Sequence, residues 1–121
     1  MPSKMRLQRI EGRIRELLSE MLIRDVSDPR LGGVFINDVH VDRELAFAEI
    51  YVSAIEGQDR APEVLEGLES ASGFLRSALA SQISLRTFPR LRFHWDFTPE
   101  RADKIEKLLT EIKKEEKPSG S

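Results

Sequence analysis

Cysteine is absent from the 121 residues, which removes disulfide staples, thiolate nucleophiles and cysteine-based metal clusters together. Histidine occurs only at positions 40 and 94, and tyrosine and tryptophan once each, so side chains suited to proton transfer near neutrality are scarce. No apolar run comes near the roughly 20 residues that a membrane-spanning helix needs. The stretch from Met1 to Leu22 is charged every few positions and lacks the apolar centre of a secretory signal. Nucleotide and hydrolase signatures are missing as well, with neither a phosphate-cradling P-loop nor a Gly-x-Ser-x-Gly elbow. These absences point to a cytoplasmic protein that makes no membrane contact, uses no cofactor or metal and has no catalytic residues of its own.

What is present is charge, and it is segregated. The net charge of -2 hides four blocks. Residues 1–24 hold six basic and three acidic side chains, and residues 25–69 hold three basic and eleven acidic. Residues 70–95 then carry four arginines (Arg76, Arg86, Arg90, Arg92) and no acid at all, and the last 26 residues are nearly balanced, with six basic and seven acidic. Two arginine-rich blocks flanking an acidic one can fold into a molecule with a positive and a negative side. Arginine rather than lysine dominates both, and its guanidinium grips phosphate bidentately. A solvated charged face is the plainer reading of either block alone.

The length suits one hydrophobic core, and the composition places a single domain at residues 1–112, with 113–121 as a disordered charged tail. Lys4 to Arg24 reads as the first helix, with Leu7, Ile10, Ile14, Leu17, Leu18, Met21 and Leu22 on one stripe. Its cations crowd the N-terminal half, against the helix dipole. Arg6, Arg9 and Arg13 share a face and would present a row of guanidiniums to a polyanion; alternatively Arg13 simply pairs with Glu16. Asp28-Pro29-Arg30 closes this helix. Strands follow at Val34 to Val41, with a bulge at Asn37-Asp38, and at Leu45 to Ser53. Pro62 to Leu85 has helical periodicity interrupted by Ala71-Ser72-Gly73, which reads as two helices meeting at a bend hinged on Gly73, or as small residues admitting a close neighbour. The third strand, Leu91 to Phe97, alternates cleanly, and Leu91, Phe93, Trp95 and Phe97 should be core. Thr98-Pro99 starts a short last helix with Ala102, Ile105, Leu108, Leu109 and Ile112 on one side. Under it, Phe47 and Tyr51 are expected to pack.

This order, helix, strand, strand, helix, bend, helix, strand and a terminal helix, predicts an α+β two-layer sandwich on a three-stranded sheet. Together with Asp28-Pro29-Arg30 after an arginine-rich helix, Ala71-Ser72-Gly73, the run Gly73-Phe74-Leu75-Arg76-Ser77, and Leu85-Arg86 ahead of Pro89, it resembles the ribosome-binding factor A family over nearly the whole chain. The resemblance implies a type II KH fold and a non-enzymatic, monomeric factor. Such a factor binds the free 30S subunit and its 16S ribosomal RNA, assists late maturation including 16S processing, and meets other assembly factors there. It also implies that Ala71, Ser72 and Gly73 form the interhelical kink that replaces a Gly-x-x-Gly loop. Arg90 and His94 depart from the family's usual acid and aromatic.

The six arginines Arg6, Arg9, Arg13, Arg76, Arg86 and Arg90 are the candidate RNA-binding set, expected on one face. Each phosphate contact they make would release a counterion, so binding should weaken with salt. His94 and Asp96, two apart on a strand, are the nearest thing to a metal or acid–base pair, and two groups are too few for a site. The alternative function is a dimerising protein-interaction module without RNA binding.

Overall fold

The computed structural model describes residues 2–116. Helix α1 (Lys4–Arg24) starts where the Ser3 hydroxyl accepts the Arg6 N–H at 3.1 Å and buries the whole expected stripe from Leu7 to Leu22. The first of two 3₁₀ turns, Pro29–Leu31, follows (the second, Gln58–Arg60, leads into the next helix), and the Asp28 carboxylate accepts the Arg30 N–H that opens the first at 2.9 Å. Strand β1 (Val34–Val41) pairs antiparallel with β2 (Phe47–Ala54), which pairs parallel with β3 (Arg90–Trp95), in the order β1-β2-β3. The register shifts between Ile36 and Asp38, so Asn37 is the bulged residue. Its amide donates to Ser53 Oγ and to Asp96 Oδ2, each at 2.9 Å, tying both outer strands together across the middle one.

Helix α2 (Ala61–Gln82) makes the crossover that a parallel pair requires. With α1 it covers one face of the sheet. Ala48, Ile50 and Val52 on β2 are fully buried against Ile14, Leu18, Val64, Leu68, Leu75 and Leu79. Period-two alternation therefore leaves Phe47, Glu49 and Tyr51, with Arg90, Arg92 and His94, on the opposite, uncovered face. The α+β two-layer arrangement is the expected one.

Five expectations need correction. The stretch read as two helices is one unbroken helix that stops at Gln82, with Ala71, Ser72 and Gly73 inside it and Ile83 already extended. Strand β2 begins at Phe47 rather than Leu45, because Leu45 turns the hairpin with a left-handed φ of 58°. Phe97 is not core. Strand β3 ends at Trp95, and the Asp96 carboxylate accepts the Thr98 N–H at 3.0 Å to start α3 (Thr98–Glu116), leaving Phe97 43% exposed. Nor is α3 short: its 19 residues continue four positions into the stretch expected as a tail, and residues 117–121 lie outside those described. Every residue from Arg101 to Glu115 is exposed. Finally, Phe47 and Tyr51 do not lie beneath it. Phe47 is capped by the Arg92 guanidinium, 3.7 Å from the ring centroid, and Tyr51 stacks on His94 at 5.2 Å.

Candidate nucleic-acid interface

Because Ile10 and Ile14 are held in the core, the helical repeat puts Arg6, Arg9 and Arg13 at the margin of α1's buried face. Ile83, at φ -120°, carries the chain out of α2 toward this margin. Arg6, Arg9, Ile10 and Arg13 thereby line one groove of about 430 Å³ with Ile83, Ser84 and Leu85. Arg86 is the next residue along, and it is exposed. Arg13 does reach Glu16, at 3.7 Å, but both side chains are about half exposed or more, and such a pair is worth little and yields readily. Among the described residues, Arg6, Arg9 and Arg86 have no carboxylate within 4.0 Å. The groove is therefore cationic, with Arg13 alone of its arginines paired to an acid.

The other two arginines of the set do not join it. Arg76 Nη2 donates to Phe88 O at 2.6 Å and its Nε to Pro89 O at 3.2 Å. Phe88 and Pro89 are buried ahead of β3, and their carbonyls would otherwise go unpaired. Arg76 is thus a brace for the crossover link. Arg90 pairs in register with Phe47 and, since Leu91 must face the helices, lies on the uncovered face of the sheet. The single face expected for all six is not what the fold builds. Four gather at the α1 margin and the link, one is committed to backbone carbonyls, and one stands on the far side of the sheet.

The acidic block treats its arginines differently. Arg30 holds Asp28 at 2.6 Å and reaches Glu66 at 3.4 Å. The Arg30 hydrogen bonds hold the Asp28 carboxyl below its ordinary 3.8. Arg60, with a side chain only 15% exposed, reaches Glu63 at 2.9 Å and Glu56 at 3.1 Å. It also donates to the carbonyls of Gly32 and Arg30, locking the first 3₁₀ turn to the start of α2. This junction explains Gly67, which sequence reading passed over. A Cβ there would stand 3.0 Å from Leu31 Cδ2 and 3.2 Å from Arg30 Cβ. Gly73, the position singled out from sequence, has nothing within 4 Å of such a Cβ. The close-packed glycine of α2 is the other one.

On the uncovered face, His94 Nε2 lies 2.8 Å from Glu49, which also accepts from Arg92 Nε at 2.8 Å. Burial raises the Glu49 pKa, and these two partners more than reverse that, leaving it below the ordinary 4.5. Asp96, the other half of the candidate pair, is turned to Asn37 and to the Thr98 N–H. Among the described residues no three histidine or carboxylate side chains stand close enough to hold a metal ion, and no helix is long and apolar enough to cross a membrane.

A three-stranded mixed sheet with helices on one face, its parallel pair joined by the long α2 crossover, is an α+β domain of the type II KH kind. The chain belongs to the ribosome-binding factor A family, whose family model matches residues 6–109. It is 42% identical over 113 residues to ribosome-binding factor A of Alcanivorax borkumensis, covering 93% of this chain and 82% of that one. The crystal structure of ribosome-binding factor A from Thermus thermophilus superimposes with a TM-score of 0.66 at 26% identity, over 74% of this chain and 93% of that one. A homology model of the Thermus thermophilus factor, fitted into a cryo-EM map of its complex with 30S, matches with a TM-score of 0.60 at 27% identity, over 73% and 92% of the two chains.

Proposed function

We propose that this protein is a non-enzymatic, monomeric assembly factor of the cytoplasm that binds the free 30S subunit. It contacts 16S ribosomal RNA and assists late maturation, including 16S processing. The observation that carries the reading is the groove lined by Arg6, Arg9 and Arg13 beside Arg86, of which all but Arg13 lack an acidic partner among the described residues. Guanidiniums held at a fixed margin without partners are poised for phosphate. The 30S complex of the Thermus thermophilus relative supports the same partner. Arg76 acts here by holding the link that carries Arg86, and Arg90 addresses a different surface. Ala71, Ser72 and Gly73 supply the point at which α2 flexes to fit the subunit, since small residues at mid-helix resist bending least.

The test is sedimentation of purified small subunits with the protein through sucrose at two salt concentrations, comparing wild type with an Arg6→Ala/Arg9→Ala/Arg86→Ala triple variant. Losing three charged contacts should weaken binding by about tenfold or more and reduce the slope of log affinity against log salt by about two to three units. An unchanged affinity and slope would defeat the assignment. The alternative, a dimerising module, draws on the exposed stripe Ile105, Leu108, Leu109 and Ile112 of α3. It predicts association that survives salt.

A further inference from the structure

The opposite end of α1 forms a second groove, larger than the arginine groove and different in chemistry. It encloses about 630 Å³ between the last turns of α1, the first 3₁₀ turn and the start of β1, and Leu22, Ile23, Val26, Phe35, Ile36 and Ile55 line it. Three of these are large apolar side chains left in water: Ile23 is 89% exposed, Ile55 75% and Phe35 51%. Clustered exposure of this kind marks an interaction surface rather than chance. Strand β1 is also the outer strand of the sheet on this side, and its two halves differ. Beyond the bulge, the Val39 N–H is taken by Asp38 Oδ1 at 2.9 Å and the Val41 N–H by Glu11 Oε2 at 2.8 Å, which blunts the edge against further pairing. Before the bulge, the Ile55 N–H bonds Gly33 O at 3.3 Å. Alternation from that bond turns the main-chain groups of Val34 and Ile36 outward, beside the groove. Among the described residues no side chain caps them.

We infer that this half-edge and its groove receive an extended polypeptide segment that adds a short strand beside Val34–Ile36, seating alternate apolar side chains against Phe35 and Ile55. Main-chain pairing supplies the affinity and the groove the selectivity. Charge defines the partner further. Beside the groove's lining, Glu20, Asp25, Asp28 and Glu56 stand against Arg24, Arg30 and Arg60, a surplus of one negative charge. That surplus repels a phosphate backbone and favours a segment in which basic residues alternate with apolar ones. The inference does not depend on RNA binding at the arginine groove, which lies at the other end of α1.

The probe is a short capped peptide of alternating lysine and valine, titrated into isotope-labelled protein. Amide shifts are expected at Leu22–Val26, Val34–Ile36 and Ile55, with slowed amide exchange at Val34 and Ile36. Ile55→Glu adds negative charge while removing apolar contact at a position exposed enough to leave the fold intact, as circular dichroism would verify. It should weaken the peptide by about tenfold or more, whereas attraction of charge alone would tighten it. A peptide with the same side chains but a backbone N-methylated on its pairing edge should lose binding. Equal binding of that peptide, tighter binding to Ile55→Glu, or shifts centred on Arg6–Arg13 or Ile105–Ile112 would overturn the inference. So would protection of Val34 and Ile36 by self-association without peptide, which would make a second copy the occupant.

Discussion

The arginines around the α1 margin and those at the junction of the first 3₁₀ turn with α2 are the same residue put to opposite uses. Arg30 and Arg60 are spent inside the molecule, on Asp28, Glu56, Glu63, Glu66 and two backbone carbonyls. Arg6, Arg9 and Arg86 have no such partner among the described residues. What separates them is the company each keeps after folding. The acidic block brings carboxylates within reach of two of its three cations, Arg30 and Arg60, while the link from α2 to β3 approaches α1 without an acid between residues 70 and 95. One set therefore holds the fold and the other is left for a partner.

Stability measurements can break or sharpen this contrast. Arg60→Ala should cost about 1–2 kcal/mol in a denaturant titration, chiefly because it leaves the carbonyls of Gly32 and Arg30 without their donor while the half-exposed carboxylates return to water. Arg9→Ala should cost less than about 0.5 kcal/mol, and equal losses would erase the distinction. The glycines of α2 extend the comparison to backbone packing. Gly67→Ala forces Leu31 and Arg30 apart, and overpacking less the gain in helix propensity predicts a net loss of about 1 kcal/mol. Gly73→Ala enters open space and should raise the melting temperature, by about 0.5–1 kcal/mol in stability. If α2 must flex there, subunit affinity falls in the same variant although it is more stable. The smallest effect concerns pH. Glu49 sits below its ordinary 4.5 when folded, so its contribution is complete above pH 4.5 and lost as pH falls through the depressed value. Glu49→Gln should flatten the acid limb of stability against pH, by about 0.5 kcal/mol for so exposed a cluster.

Much of the fold was legible in the chain. The α1 stripe from Leu7 to Leu22 is buried residue for residue, β1 has the expected ends, and the bulge falls at Asn37. Periodicities of 3.6 and 2 report which side chains must leave water, and burial enforces them. Where a local feature opposed the pattern, reading failed. Leu45 fits the alternation of β2 but turns the hairpin. Phe97 completes the alternation of β3, but Asp96 ends the strand first. The mid-helix glycine suggested a break, yet the hydrogen bonds of α2 run through it.

The candidate site was only half legible for a related reason. Sequence alone determined the two-layer architecture, the core, the surplus of arginine in two blocks and the family likeness, because each depends on residue type and local spacing. Only the tertiary structure decided which cations were free. Arg76 was claimed by carbonyls of Phe88 and Pro89, twelve and thirteen residues away, and Arg90 was sent to the far face by the burial of Leu91. Pairing is a property of distances across the fold, and the order of residues along a chain does not contain them.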